Sequence, residues 1–235
     1  MKVIQADGWK DFRESLYNYA KVSRTRKQQL LFRGQARTSW KLATTLDRQA
    51  KFDNDKVRGE HVDRLLSEFR MEVIRLGLND AQVPEGAALE LLARHHGLPS
   101  PILDWSGSPY VATYFGLSDP SCTADEPAAV WMLDRAKLTT DQLSEIGIVD
   151  EINLLQFNKR ALRQRSLFLR IRSAQKPLEE LLDPALTKFV IPTKDRRLAI
   201  ADLDDMTINA TNLLCDLDGA ARTVVSRISR PGGLP

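Results

Sequence analysis

The sequence predicts an α+β fold in a single domain, and three observations support this prediction. The 235 residues suit one large domain. Hydrophobic residues make up 43% of the chain and charged residues 28%, which is enough apolar material for a core. Helical patterns cluster early and late, strand patterns lie scattered between them, and no regular βαβ alternation appears. We therefore expect a sheet with flanking helices rather than a doubly wound parallel sheet.

Six helices are expected from apolar spacing and from residues that favour helix ends. Asp7 can cap the first helix, and Ser108 followed by Pro109 can begin the fourth. Gly97 and Pro99 follow the third helix and stop it. The expected helical ranges are about 7–22, 61–76, 86–96, a helix that begins at 108, 194–206 and about 212–228.

Five short segments are expected to be strands, because each is apolar and several carry aromatic or β-branched residues. The expected strand ranges are 29–33, 102–104, 129–133, 167–171 and 188–191. The prolines at 120, 127, 177 and 184 mark loops, and none indicates a linker. One domain is therefore expected over residues 1–235.

Composition disfavours several classes of protein. The longest apolar runs are far below the roughly 18 residues of a membrane span, and the start MKVIQADGW lacks the apolar region of a signal peptide. Cys122 and Cys215 lie far apart with no CxxC, so we expect free thiols and a cytoplasmic location. Hydride transfer on a Rossmann fold, P-loop chemistry and serine hydrolysis are disfavoured because their motifs are missing.

The net charge of +3 hides an uneven distribution of basic residues. Basic residues but no acids occur from Lys21 to Lys41, and again from Lys159 to Lys176. If these two basic stretches meet in the fold, they form one positive surface that attracts phosphate groups. Two separate solvated faces are the alternative.

The first candidate site is the segment Phe32-Arg33-Gly34-Gln35, an apolar strand that ends in polar residues. Arg33 is suited to bidentate binding of phosphate or carboxylate. Gly34 would let a ligand approach the backbone closely. A structural ion pair between Arg33 and a carboxylate is the alternative.

The second candidate site is residues 94–106, where a helix ends on two histidines and a short strand follows a Gly/Pro turn. That strand delivers Asp104 and Ser106 just before the helix that begins at Ser108, an arrangement that suits an anion or nucleotide. Alternatively, the two polar residues cap a turn and His95 packs against the core. No metal site is expected, because His95 and His96 are adjacent and no spaced set of ligands completes them.

The third candidate site is Arg160, Gln164 and Phe168, which would share one face if they lie on a strand. Gln164 could then hydrogen-bond a hydroxyl or amide of a ligand. An ordinary basic strand edge is the alternative.

These segments, taken in this order, resemble the FRG domain family over roughly residues 10–225. That family shows an FRGQ strand, then a segment like QHYGLPTRLLDWT-x-NPLVALYFA, then R-x3-Q-x-G-x-F, and closes with LFPDLDG-A, which corresponds to residues 212–220. The chain departs from these segments at Arg94, His96, Pro101 and Cys215, where the family usually has Gln, Tyr, Arg and Pro.

The resemblance further implies a layout like the ADP-ribosyltransferase fold, which has a split β-sheet core and uses NAD as its substrate. Arg33 would hold the NAD pyrophosphate or the nicotinamide ribose, with Gly34 and Gln35 beside it. Ser106 would join these cofactor-binding residues and, together with Asp104, would position a ribose or the nicotinamide amide.

The same resemblance implies three catalytic residues. Asp104 would stabilise the oxocarbenium-like transition state, and His95 would act as general base on the acceptor. Gln164 would stand near the position of the catalytic glutamate.

The function expected from the resemblance is an NAD-dependent ADP-ribosyltransferase-like enzyme, such as a bacterial toxin or phage-defence effector. The basic stretches favour a nucleic-acid acceptor, RNA in particular, with a protein acceptor next, and no membrane. Two alternatives stay open. One is a non-catalytic module that binds nucleotide or nucleic acid, and the other is a subunit whose basic face docks an acidic partner such as an antitoxin.

Overall fold

The computed structural model describes residues 1–22, 30–149 and 163–229, and the strands in these ranges form one seven-stranded sheet. The strands are β1 (Lys2–Gln5), β2 (Leu30–Gln35), β3 (Ile102–Ser106), β4 (Ala128–Asp134), β5 (Ile146–Val149), β6 (Ser166–Ile171) and β7 (Leu186–Ile191). Their order is β1-β7-β4-β2-β3-β6-β5. Only β1 and β7 are parallel neighbours; the other neighbouring pairs in this sheet are antiparallel.

Helices lie on both faces of this sheet. The described helices are α1 (Trp9–Val22), α2 (Thr45–Gln49), α3 (Asp55–Arg75), α4 (Gly86–His95), α5 (Pro109–Ser118), α6 (Thr140–Glu145), α7 (Leu178–Leu181), α8 (Arg196–Asp205), α9 (Ala210–Leu214) and α10 (Leu217–Ile228). The mixed α+β prediction is confirmed, and a strand stands at each of the five expected positions. The finer ADP-ribosyltransferase-like layout and the extent of the domain stay predictions.

The sequence does not predict β1 or β5, each of which is four residues long. Neither strand shows the buried–exposed alternation that marks a half-buried strand, since three of the four residues of β1 are exposed. The short helices α2, α6 and α7 are also unexpected, because segments of four to six residues hold too little helical periodicity to detect.

The single helix expected at about 212–228 is wrong, because two helices occupy this range. Cys215 ends α9 with a left-handed φ of 57°, which a continuing helix cannot contain. Asp216 then caps α10 by accepting a hydrogen bond from the Gly219 N–H. The αL residue and the new cap together turn the chain.

The start of α1 also differs from the expectation that Asp7 caps it. The Trp9 N–H donates to the Asp195 carboxylate at 2.9 Å, while the Asp7 N–H donates to Asp11. The Trp9 indole donates to Asp202 at 2.7 Å. The first helix therefore receives its acceptors from the last third of the chain rather than from its own flank.

Successive residues of β2 face two different cores. Phe32 packs with Trp9, Phe12 and Phe189 on the face covered by α1, α5 and α8. Leu31 faces the other side, where it joins the cluster that contains Trp105 and Trp131. This alternation places Arg33 on the same side as Leu31.

Gly34 lies where α5 crosses β2, and no side chain fits there. A Cβ at Gly34 would stand 1.9 Å from the Ala112 carbonyl oxygen and 2.7 Å from the Gly116 nitrogen. The space expected for an approaching ligand beside Gly34 is therefore filled on this side by a helix. The glycine permits close packing of α5 on β2, and a role of its backbone toward a ligand stays a prediction.

Beside β6, helix α4 places a carboxylate in a buried position. Glu90 accepts a hydrogen bond from Arg170 Nε on β6 at 2.8 Å, and its side chain is only 5% exposed. Its second oxygen, Oε1, is buried without a hydrogen-bond partner among the described residues. Burial raises the pKa of Glu90 above its usual value, although the charge of Arg170 opposes this.

We expect Gly34→Ala to destabilise the fold by about 3 kcal/mol or more, because the backbone atoms of α5 cannot move away cheaply. The matched control is Gly59→Ala in α3, where an added Cβ meets nothing within 4 Å. That change should stabilise the protein by about 0.5–1 kcal/mol through helix propensity. Denaturant unfolding measures both, and equal effects of the two substitutions would contradict the packing argument.

We expect Glu90→Gln to make the protein more stable than wild type at pH 7, with the gain vanishing at acidic pH. The pKa of Glu90 is higher in the folded state, so the unfolded chain loses this proton first as pH rises. Wild-type stability therefore falls across the interval above the usual glutamate pKa, and the variant lacks this loss. Unfolding at a series of pH values measures the difference, with the exposed Glu60→Gln as control.

Candidate functional site

The sheet is weakest between β2 and β3. These strands share one register pair, Phe32 with Ser106, whereas β2 pairs with β4 along its whole length and β3 pairs with β6 along its whole length. Beyond Phe32 and Ser106 the backbones of β2 and β3 carry no ladder between them. We call this place the β2–β3 junction.

Arg33 fills the β2–β3 junction. Its Nη1 donates to the carbonyl oxygen of Asp104 at 2.7 Å, so a side chain replaces the missing ladder bond. Its Nε is buried and has no hydrogen-bond partner within the described ranges. Burial lowers the pKa of Arg33 to about 10, a shift that Asp104 opposes and that the nearby cations Arg94 and Arg48 reinforce.

The Asp104 carboxylate is held by Arg94 at the end of α4. Arg94 Nε donates to one oxygen at 2.7 Å, and Nη2 donates to the other, which gives a two-point pair. The Arg94 side chain is 15% exposed and that of Asp104 is 46% exposed. Burial acts to lower the pKa of Arg94, but its hydrogen bonds with Asp104 and the charge of that residue outweigh burial and raise it.

The junction therefore gathers positive charge. Two further guanidinium groups, those of Arg94 and Arg48, and one carboxylate, that of Asp104, lie within electrostatic reach of Arg33. Such an excess of positive charge, carried by two half-buried side chains and the exposed Arg48, suits an anionic ligand.

This positive charge differs in origin from the two basic stretches of the sequence. Arg33 belongs to the first stretch, but Arg94 and Arg48 belong to neither. Two described members of the stretches have carboxylate partners of their own: Arg170 pairs with Glu90, and Arg37 lies 4.0 Å from Glu126. Other members, such as Lys27 and Lys159, lie outside the described residues, so the joint positive surface stays a prediction.

Gln35 and Ser106 already hold partners within the fold. Gln35 is 7% exposed, and its amide accepts from the Trp131 indole at 2.6 Å and donates to the Lys41 carbonyl at 3.1 Å. The Ser106 hydroxyl donates to the Gln164 carbonyl at 2.7 Å and accepts from the Ser108 N–H at 3.0 Å. Ser108 in turn caps α5, as predicted.

The expectation that Gln164 shares a strand face with Phe168 is wrong. Strand β6 begins at Ser166, and Arg165 has a left-handed φ of 48° that interrupts the extended backbone before it. The Gln164 amide donates to the Leu213 carbonyl at 3.0 Å, so it ties the turn before β6 to α9. The third member of this predicted site, at position 160, lies outside the described residues.

His95 lies at the exposed end of α4, directly after Arg94, with its ring 5.2 Å from that of His96. It is exposed, so the alternative that it packs against the core is wrong. The structure joins the other predicted site residues in two pairs. Arg33 donates to the Asp104 carbonyl, and Ser106 donates to the Gln164 carbonyl.

Sequence reasoning missed three groups at the junction. Arg94 was visible only as a departure from the family segment, and Arg48 carried no signal at all. The third group, Trp105, lies opposite Arg33 in the antiparallel register; its indole nitrogen is buried without a partner among the described residues. A tryptophan in an apolar strand predicts core packing, so its unpaired donor could only come from the structure.

No described helix is both long enough and apolar enough to cross a membrane. Within the same ranges, no three His, Cys, Asp or Glu side chains come together in a group that could hold a metal ion.

Comparison with known proteins gives one match. The model of the FRG domain family matches residues 28–125, a segment that runs from the start of β2 past α5 and contains Arg33, Arg94, Asp104 and Ser106. No curated protein and no solved structure matches the chain. The matched segment is shorter than the resemblance at residues 10–225, but it includes both strands that border the junction. The part of the chain that borders the junction, residues 28–125, is therefore similar to the FRG domain family.

Proposed function

We propose that this protein binds NAD at the β2–β3 junction and transfers its ADP-ribose to an acceptor. The observation that carries the proposal is the half-buried Arg33 side chain between two strands, whose Nε is buried and has no partner among the described residues. Buried donors are almost always satisfied in folded proteins, so this one calls for an acceptor. The pyrophosphate of a dinucleotide is an acceptor whose shape and charge match an arginine.

A second unpaired donor supports the same ligand class. The Trp105 side chain is 2% exposed, and its indole N–H lacks a partner in the described part of the chain. The Phe32–Ser106 register places Trp105 opposite Arg33, on the same side of the sheet. Two neighbouring donors without acceptors favour an anionic, oxygen-rich ligand over a cationic one.

The transfer step assigned to this site is a substitution at the nicotinamide ribose. The bond between its C1′ and the nicotinamide nitrogen breaks, and nicotinamide leaves with the electron pair. A nucleophile of the acceptor forms the new bond to C1′ and loses its proton. Asp104, whose side chain is 46% exposed, is the carboxylate available to stabilise the cationic transition state. His95 is the candidate base for the proton.

The second candidate function is nucleotide binding without turnover. Arg94 occupies both oxygens of Asp104, and the Gln164 amide is already bonded to Leu213. A carboxylate held by a guanidinium stabilises a neighbouring cation less than a free one does. These contacts favour binding over catalysis, and the experiment below separates the two functions.

The identity of the acceptor is proposed on the resemblance and the basic stretches alone. RNA comes first and protein second, with a role as a toxin or phage-defence effector that an antitoxin partner controls. Steeply salt-dependent RNA binding would support the first acceptor.

We expect Arg33→Met to weaken NAD binding by about tenfold or more, since it removes charge-assisted hydrogen bonds to the pyrophosphate. Its free energy of unfolding should change by only about 1 kcal/mol, because the lost hydrogen bond is offset by relief of a buried charge. Calorimetric titration measures the binding and thermal unfolding measures the stability. The matched control is Arg64→Met, which removes an exposed cation from α3 and should leave NAD binding unchanged.

Labelled NAD then tests turnover. Nicotinamide release that is lost in Asp104→Ala supports transfer, whereas NAD binding without release selects the second candidate. A folded wild type that binds no NAD, or an Arg33→Met variant that binds it as wild type does, contradicts the proposal.

A further inference from the structure

We infer that Arg94 determines which nucleotides the junction prefers. By pairing with Asp104 it makes the site favour a diphosphate ligand without a positively charged base, of the ADP-ribose type, over NAD itself. This inference rests on the proposed nucleotide site, and it adds a specificity-determining residue to it.

The geometry of the pair supports a lasting interaction rather than a passing contact. Both nitrogen donors on one edge of the Arg94 guanidinium reach the two oxygens of Asp104. Arg94 also lies within 3.4 Å of the Ser100 hydroxyl and 3.5 Å of the Thr45 hydroxyl, so polar groups surround its far side. A planar guanidinium that is 15% exposed and held on several sides has little freedom to swing away.

The pair changes what the junction presents to a ligand. Asp104 is the carboxylate whose charge acts on Arg33, and Arg94 and Arg48 are the cations that act on the same group. With Arg94 in place, the carboxylate is compensated and the remaining guanidinium groups present net positive charge. Without Arg94, Asp104 would present an uncompensated negative charge beside Arg33.

The two nucleotides differ in the group that senses this charge. Both contain the same diphosphate dianion, but NAD also carries a positively charged nicotinamide ring. An uncompensated carboxylate attracts that ring, whereas the compensated pair leaves the net positive charge of the other guanidinium groups, which repels the ring. The Arg94–Asp104 pair therefore favours binding of the ligand that lacks the ring. Ligands of this class are also the products of NAD cleavage.

The test is the ratio of dissociation constants for NAD and ADP-ribose, measured by calorimetric titration. Wild type should bind ADP-ribose more tightly. Arg94→Gln should shift the ratio toward NAD by about tenfold, which is the scale of one charge changed about 4 Å from a ligand at a dielectric close to that of water, as suits the half-exposed Asp104. Arg94→Lys keeps the charge without the two-point geometry and should stay within about threefold of wild type.

A double-mutant cycle removes effects of folding and of general charge. In an Asp104→Asn background, Arg94→Gln should no longer shift the ratio, because the carboxylate that it uncovers is gone. A ratio that Arg94→Gln leaves unchanged in the otherwise wild-type protein overturns the inference, as does an equal shift in both backgrounds. Failure of the proposed function shows differently, as wild-type protein that binds neither nucleotide.

Discussion

The hydrogen bond from Arg33 to the Asp104 carbonyl joins two parts of the sheet that backbone pairing alone barely connects. On one side lie β1, β7, β4 and β2, and on the other lie β3, β6 and β5, with one register pair between them. An arginine side chain extends farther than a backbone N–H, so it can bridge a gap between strands that is too wide for backbone hydrogen bonds. The cost is a buried charge whose donors are incompletely satisfied, and this is what turns a structural bridge into a candidate binding site.

Most polar residues near the junction are used to hold it together. Gln35 connects β2 to the Trp131 indole of β4, and Ser106 connects β3 to the turn that holds Gln164. These side chains fix the positions of neighbouring strands and loops, which keeps the few unpaired donors in place. A rigid surround of this kind is what a preorganised site requires.

Local sequence signals, such as caps and apolar runs, account for the elements that could be predicted. Ser108 and Pro109 specify the start of α5 through cap chemistry alone, and apolar runs specify β2, β4 and β7. The left-handed residues Arg165 and Cys215 were not predictable, because neither is a glycine and no side-chain pattern marks them. Long-range pairs such as Arg94 with Asp104 depend on how a helix end meets a strand. The sequence therefore predicts candidate residues of the site, but it does not predict which of them are paired with each other in the fold.

The contacts at the start of the chain also bear on how the protein is made. Strand β1 pairs with β7, and the first N–H of α1 is bound by Asp195, 186 residues later. A ribosome therefore releases β1 and α1 long before their partners exist. Trp9 and Phe12, which pack with Phe189 in the core, lack this partner until residue 189 has been synthesised. Complete packing of β1 and α1 must therefore wait until β7 and Asp195 have been synthesised, and chaperones have that interval in which to bind these elements.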